Sequence, residues 1–125
     1  MIYIDTHAIV WLFEGRIEKF SAKARELIEQ NAILASPISI LELQYLHEIK
    51  RITLSAHEIV DDLIGRIDLL FDENSFTNIV KKSLTLSWTR DPFDRLITAG
   101  AELQGIPLLT KDKTILANCP LAVWE

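Results

Sequence analysis

Short, mostly apolar runs at residues 2–5, 32–35, 67–71, 106–110 and 121–124 alternate with longer amphipathic stretches. A strand wetted on one face alternates apolar and polar residues, whereas these runs do not, so both faces of their sheet must be covered. The intervening segments carry helix signals. Residues 6–13 follow the first run directly. Ser21 caps a helix over residues 22–30, and Ser36 with Pro37 at the first helical position opens one to about residue 50. Ser55 caps residues 56–66, with Glu58 placed as in a capping box, and Ser75 opens a helix to about residue 86. Asp91-Pro92 opens a helix that ends at Gly105, and residues 113–116 form a short helical turn. This alternation predicts an α/β three-layer sandwich, a central mostly parallel sheet with helices on both faces. The 125 residues suit one domain, 1–125.

Ligands of such sheets bind beyond the carboxyl ends of the strands, and acids collect there. Asp5 closes the first run and Asp112 lies two residues past the fourth. Asp5 also suits a helix cap, a role compatible with metal binding. On the helix after Pro37, an apolar stripe reads Ile38, Leu41, Tyr45 and Ile49, with Leu46 beside it, and Glu42 falls within that stripe. A carboxylate there pairs with a buried arginine, sits at the stripe's edge, or faces a cavity or metal. In Arg90-Asp91-Pro92-Phe93-Asp94-Arg95, Asp91 suits the cap and Asp94 the first turn, one turn in from the crevice. Asp94 is the preferred ligand of the two and Asp91 mainly a cap.

Four segments thus bring acids to one end of the expected sheet. Close carboxylates cannot all ionise without a counter-charge, and a divalent cation supplies one. All-oxygen ligands favour Mg²⁺ or Mn²⁺, and such ions serve phosphodiester hydrolysis. The net charge, 13 − 18 = −5, disfavours gripping nucleic acid by bulk positive charge, and four or five site carboxylates would account for most of that surplus. Arg90, Arg95, Lys111 and Lys113 flank the acids and are expected to hold substrate phosphates.

Taken in order, Ile4-Asp5-Thr6-His7-Ala8 with Trp11, Ser36 to Leu43 with Glu42, Asp91-Pro92-Phe93-Asp94-Arg95 and Leu109-Thr110-Lys111-Asp112 resemble the PIN-domain family, specifically its VapC-type toxins. The resemblance spans essentially the whole chain. It implies a metal-dependent endoribonuclease of a VapBC-type toxin–antitoxin pair, with Asp5, Glu42, Asp94 and Asp112 as the acidic site. It further implies Asp91 as a fifth acid and Thr6 and Thr110 as hydroxyl neighbours. Similar members often carry a histidine two residues before the motif aspartate, where this chain has Thr89. The implied partners are RNA, a VapB-like antitoxin and a second copy in a homodimer. Apolar Trp11, Leu12, Phe13 and Phe20 are expected to line a groove for the antitoxin.

Other readings compete. A non-catalytic PIN-like RNA- or protein-binding module would keep the fold without cutting. A phospho-acceptor regulator needs paired acids after the first strand and an aspartate after a middle strand, and neither is evident. One cysteine, Cys119, excludes an intrachain disulfide and a cysteine zinc site. The longest apolar run, residues 8–13, is too short to span a membrane. Asp5 interrupts any leader-like stretch, so the expected compartment is the cytoplasm.

Overall fold

A computed structural model describes residues 1–125. Its sheet has five strands, β1 (Ile2–Ile4), β2 (Ile33–Ala35), β3 (Leu70–Phe71), β4 (Leu108–Leu109) and β5 (Ala122–Val123). They lie in the order β3-β2-β1-β4-β5, and every pairing is parallel. The α-helices are α1 (Thr6–Glu14), α2 (Ala22–Gln30), α3 (Ile38–Glu48), α4 (Ala56–Ile67), α5 (Phe76–Ser83), α6 (Pro92–Gln104) and α7 (Lys113–Asn118). A short 3₁₀ turn, Ile17–Lys19, follows α1.

The period of two along each strand divides the core between the two sheet faces. Ile2, Ile4, Ile33, Ala35 and Leu109 face one side and pack with residues of α1, α2 and α4. Tyr3, Leu34 and Leu108 face the other and pack with Ile97 and Ala101 of α6 and Ile115 of α7. Helix α5 lies against α6 through Ile79 and Ala99. The chain leaves β1 toward β2 on one side, and β4 lies on the other. The carboxyl end of β1 is therefore the switch point at which such sheets bind ligands.

Several boundaries differ from the sequence expectation. The run at 67–71 is not all strand. Helix α4 continues through Ile67, Asp68 takes a left-handed conformation (φ 55°) as its cap, and only Leu70 and Phe71 pair. Helix α3 begins at Ile38 and stops at Glu48, with Lys50 left-handed (φ 64°). Ser36 nonetheless accepts a hydrogen bond from the Ile38 N–H (3.2 Å). Helix α5 ends at Ser83, short of Leu86.

The α3 stripe also needs correction. Leu41, Tyr45 and Ile49 are 57%, 49% and 44% exposed, while Ser39 and Leu43 are buried. The face toward the sheet is thus Ser39–Leu43, and the apolar stripe turns to solvent. Phe20 and Trp124 are core residues that stack at 5.4 Å, so Phe20 is largely buried and only borders a hollow beside α1.

One close approach fixes α6. A Cβ on Gly100 would collide with the Tyr3 hydroxyl oxygen. Tyr3 donates to Asp72 Oδ2 (2.8 Å), and Asp72 Oδ1 accepts from Gln104 Nε2 (2.9 Å) and Asn74 N–H (2.9 Å). Burial, helped by Asp72, holds the Tyr3 phenol well above its usual range. Asp72 follows the edge strand β3, so it does not supply the middle-strand acceptor of a phospho-acceptor regulator.

Candidate active site

Asp5 directly follows β1, and its residue is 5% exposed. Its carboxylate is held from two directions. Oδ1 accepts from the Thr6 N–H (2.7 Å), and Oδ2 accepts from Thr110 Oγ1 (2.6 Å), just past the adjacent strand β4. Thr110 Oγ1 also accepts from the Asp112 N–H (3.1 Å). One hydroxyl therefore ties together the loops after β1 and β4. Burial raises the Asp5 carboxyl above the usual range, opposed by Thr110, His7 and the Thr6 N–H, and Asp112 raises it further.

Asp91 caps α6, accepting from the N–H groups of Phe93 (2.8 Å) and Asp94 (3.1 Å). Asp112 caps α7, accepting from the Ile115 N–H (2.9 Å). With Asp5 capping α1, three of the five acids sit at helix N-termini. Partial positive charge there offsets part of their mutual repulsion.

Asp94 shares the first turn of α6 but caps nothing, and Glu42 lies mid-helix without such support. Glu42 is half-buried, and its Oε1 is sealed from solvent with no hydrogen-bond partner. Burial pushes its carboxyl up, Thr6 and His7 lower it, and Asp5 and Asp91 raise it. Asp94 is pushed up to about 7, first by burial and then by Asp91, Asp5, Asp112 and Glu42. The five acids therefore share one electrostatic neighbourhood. None takes part in the chain's ion pairs, which are Arg16–Glu14, Arg66–Asp62 and Lys82–Glu102.

No three carboxylate, imidazole or thiol groups stand at metal-ligand spacing. The acids feel one another's charge without closing on a common point. Their chemistry nevertheless fits a divalent cation. The donors are all oxygen, one buried oxygen lacks any partner, and no lysine or arginine forms an ion pair with them.

The flanking cations are less uniform than expected. Arg95 Nε donates to the Thr89 carbonyl (2.8 Å) and Arg90 Nη1 to the Ser87 carbonyl (2.7 Å), so both brace the turn before α6. Lys111 borders the hollow at Asp5 and Asp112 and also a second one with Trp124 and Glu125, whereas Lys113 lines only the second. Ser39, absent from the sequence assignment, accepts from Thr6 Oγ1 (3.0 Å) while fully buried. Its position three residues before Glu42 was the available signal, since that spacing shares a helix face. Cys119 is buried, and burial raises its thiol away from the reactive range.

This sheet order, with acids gathered past β1 and β4, defines a class of α/β proteins that is also visible in sequence. The PIN domain family matches residues 2–119, and the chain belongs to that family. No curated protein matches it in sequence. Solved structures share its fold. A chain of VapBC2 from Rickettsia felis, bound to a promoter DNA fragment, superposes with TM-score 0.67 at 20% identity, covering 100% of this chain and 98% of its own. VapBC-1 from nontypeable Haemophilus influenzae gives 0.64 at 19% identity, covering 100% and 97%. DNA-bound VapBC from Salmonella typhimurium gives 0.63 at 18%, covering 99% and 96%.

Proposed function

We propose that this PIN-domain protein is a VapC-type toxin, a metal-dependent endoribonuclease formed by residues 1–125 as one domain and acting in the cytoplasm. The observation that carries this reading is the set of five electrostatically coupled acids at the sheet's switch point, none of them in an ion pair. Solved relatives of the same fold are VapBC complexes, in keeping with a toxin role. No helix is long and apolar enough to cross a membrane.

Asp5, Glu42, Asp94 and Asp112 would hold Mg²⁺ or Mn²⁺, with Asp91 as a further oxygen source. When bound, the ion supplies charge that acidifies water and stabilises the phosphorane-like transition state. The protein's own residues do the rest. Thr110 and the Thr6 N–H fix both Asp5 oxygens, so this carboxylate presents a single orientation. Ser39 holds the Thr6 hydroxyl beside Glu42. Glu42 or Asp94 orients the attacking water. Lys111 bears on the scissile phosphate, and Arg90, Arg95 and Lys113 on phosphates further out.

A VapB-like antitoxin would occupy the hollow of about 280 Å³ lined by Trp11, Leu12, Ile17, Phe20, Ile28 and Leu63. The exposed Leu41, Tyr45 and Ile49 of α3 offer a homodimer surface. The test is cleavage of a panel of structured RNAs with Mg²⁺, Mn²⁺ or EDTA. Metal-dependent cutting that Asp5→Asn abolishes, in a variant that stays folded, supports the reading. Full activity of Asp5→Asn, or cutting in EDTA, refutes it.

The absence of any three side chains at metal-ligand spacing favours a second reading, a PIN-like module that binds RNA or protein without cutting. Calorimetric titration with Mn²⁺ separates the two, since the module would take up no ion at the acids.

A further inference from the structure

The hollow at Asp5 and Asp112 is also walled by His7, Trp11 and Lys111. His7 and Trp11 line a second hollow as well, whose other walls include Glu14, Arg16, Lys19 and Arg51. The two hollows adjoin at these ring-bearing residues, the second lying on the side away from the acids. Their cations converge on an aromatic floor. Lys111 Nζ lies 5.9 Å and Lys19 Nζ 5.8 Å from the Trp11 ring centroid, and the His7 ring lies 6.4 Å from it.

These charges are uncommitted. Arg16 is paired with Glu14 (3.2 Å), but Lys19, Arg51 and Lys111 make no ion pair and no side-chain hydrogen bond. In a chain of net charge −5, the second hollow is locally positive, with Arg16, Lys19 and Arg51 against Glu14 alone. Trp11 is wedged against Phe20 (6.1 Å) and Trp124 (5.9 Å), which keeps the indole in place between the hollows.

We propose that these adjoining hollows are a binding track for single-stranded RNA, with Lys19 and Arg51 holding backbone phosphates on the side of Trp11 away from the acids. The proposal rests on the reading of the acids as an RNA-cutting centre, and it adds a path by which the strand leaves that centre. An aromatic floor with cations on its rim suits an unstacked strand, because any base offers a face to stack while the phosphates meet the cations. An acidic peptide would use the cations but leave the indole idle.

The test is binding of a labelled single-stranded RNA in EDTA, which removes cleavage from the readout. For single strands, log K falls with log salt by about 0.7 per phosphate contact, so each contact is worth about fivefold at 0.1 M salt relative to 1 M. Lys19→Gln/Arg51→Gln should therefore weaken binding about 25-fold and flatten the salt slope by about 1.4. Lys23→Gln/Lys81→Gln removes the same charge from exposed positions elsewhere and should leave both nearly unchanged. Trp11→Leu should weaken binding without altering the slope.

Equal losses from both double variants, or no loss from Lys19→Gln/Arg51→Gln, overturn the track. So does displacement of the RNA by an oligoglutamate at matched charge concentration. Binding that follows the expected pattern in a protein that cuts no RNA with Mg²⁺ or Mn²⁺ would sink the nuclease reading and leave the track standing.

Discussion

Asp94→Asn should make the metal-free protein more stable, and only above a definite pH. In the folded chain Asp94 is raised to about 7 from an ordinary 3.8, by burial and then by four neighbouring acids. An acid with a raised folded-state value binds more protons folded than unfolded between those two pH values. Folding stability therefore falls as pH rises from about 4 to about 7 and stays low above that. The full shift corresponds to about 4 kcal/mol at 1.36 kcal/mol per unit. Asp94 keeps one side toward water, so screening reduces this to about 1–2 kcal/mol. Asparagine forfeits a favourable carboxylate at the start of α6, about 0.5 kcal/mol. The net gain at pH 8 is then about 1 kcal/mol, vanishing near pH 4. Urea unfolding of both proteins from pH 4 to 8 in EDTA measures it. Mn²⁺ should reverse the order at pH 8, because an ion that needs the carboxylate stabilises the parent more. Equal stability at every pH, or a variant weaker at pH 8 without metal, refutes the idea of an acid pocket short of counter-charge.

Other substitutions probe the supports. Gly100→Ala drives a Cβ into the Tyr3 hydroxyl and disturbs its bond to buried Asp72, against a helix-propensity gain of about 1 kcal/mol. A net loss of about 2–4 kcal/mol, or roughly 10 °C in Tm, is expected, with partial recovery when Tyr3→Phe is added. Thr110→Val takes from Asp5 its side-chain hydrogen-bond donor and should cost about 1.5–3 kcal/mol by urea unfolding. That loss should be larger at pH 8 than at pH 5, since the ionised form is the one deprived. Glu42→Met removes a buried oxygen without a partner and should raise stability by about 1 kcal/mol while ending RNA cleavage.

Local chemistry determined much of this protein. Mostly apolar runs without alternation can only be buried on both faces, so a parallel sheet between helix layers was legible from residues 2–5, 32–35 and 106–110. Helix caps were equally local. Ser21, Ser55, Asp91 and Gly105 act where the sequence puts them, because a cap depends on its own next few residues. The acids were legible as residue types at strand and helix ends.

Tertiary structure decided which way side chains face. The sequence pattern places Glu42 on an apolar stripe that faces solvent, and its burial comes instead from the neighbouring face of α3. A helix with apolar residues on two faces does not say which of them the sheet takes. Nor could spacing reveal Thr110 reaching Asp5 across 105 residues, or Lys19 and Lys111 meeting at one indole. Such contacts exist only once β1 and β4 lie side by side, since pairing between distant strands is a property of the assembled sheet.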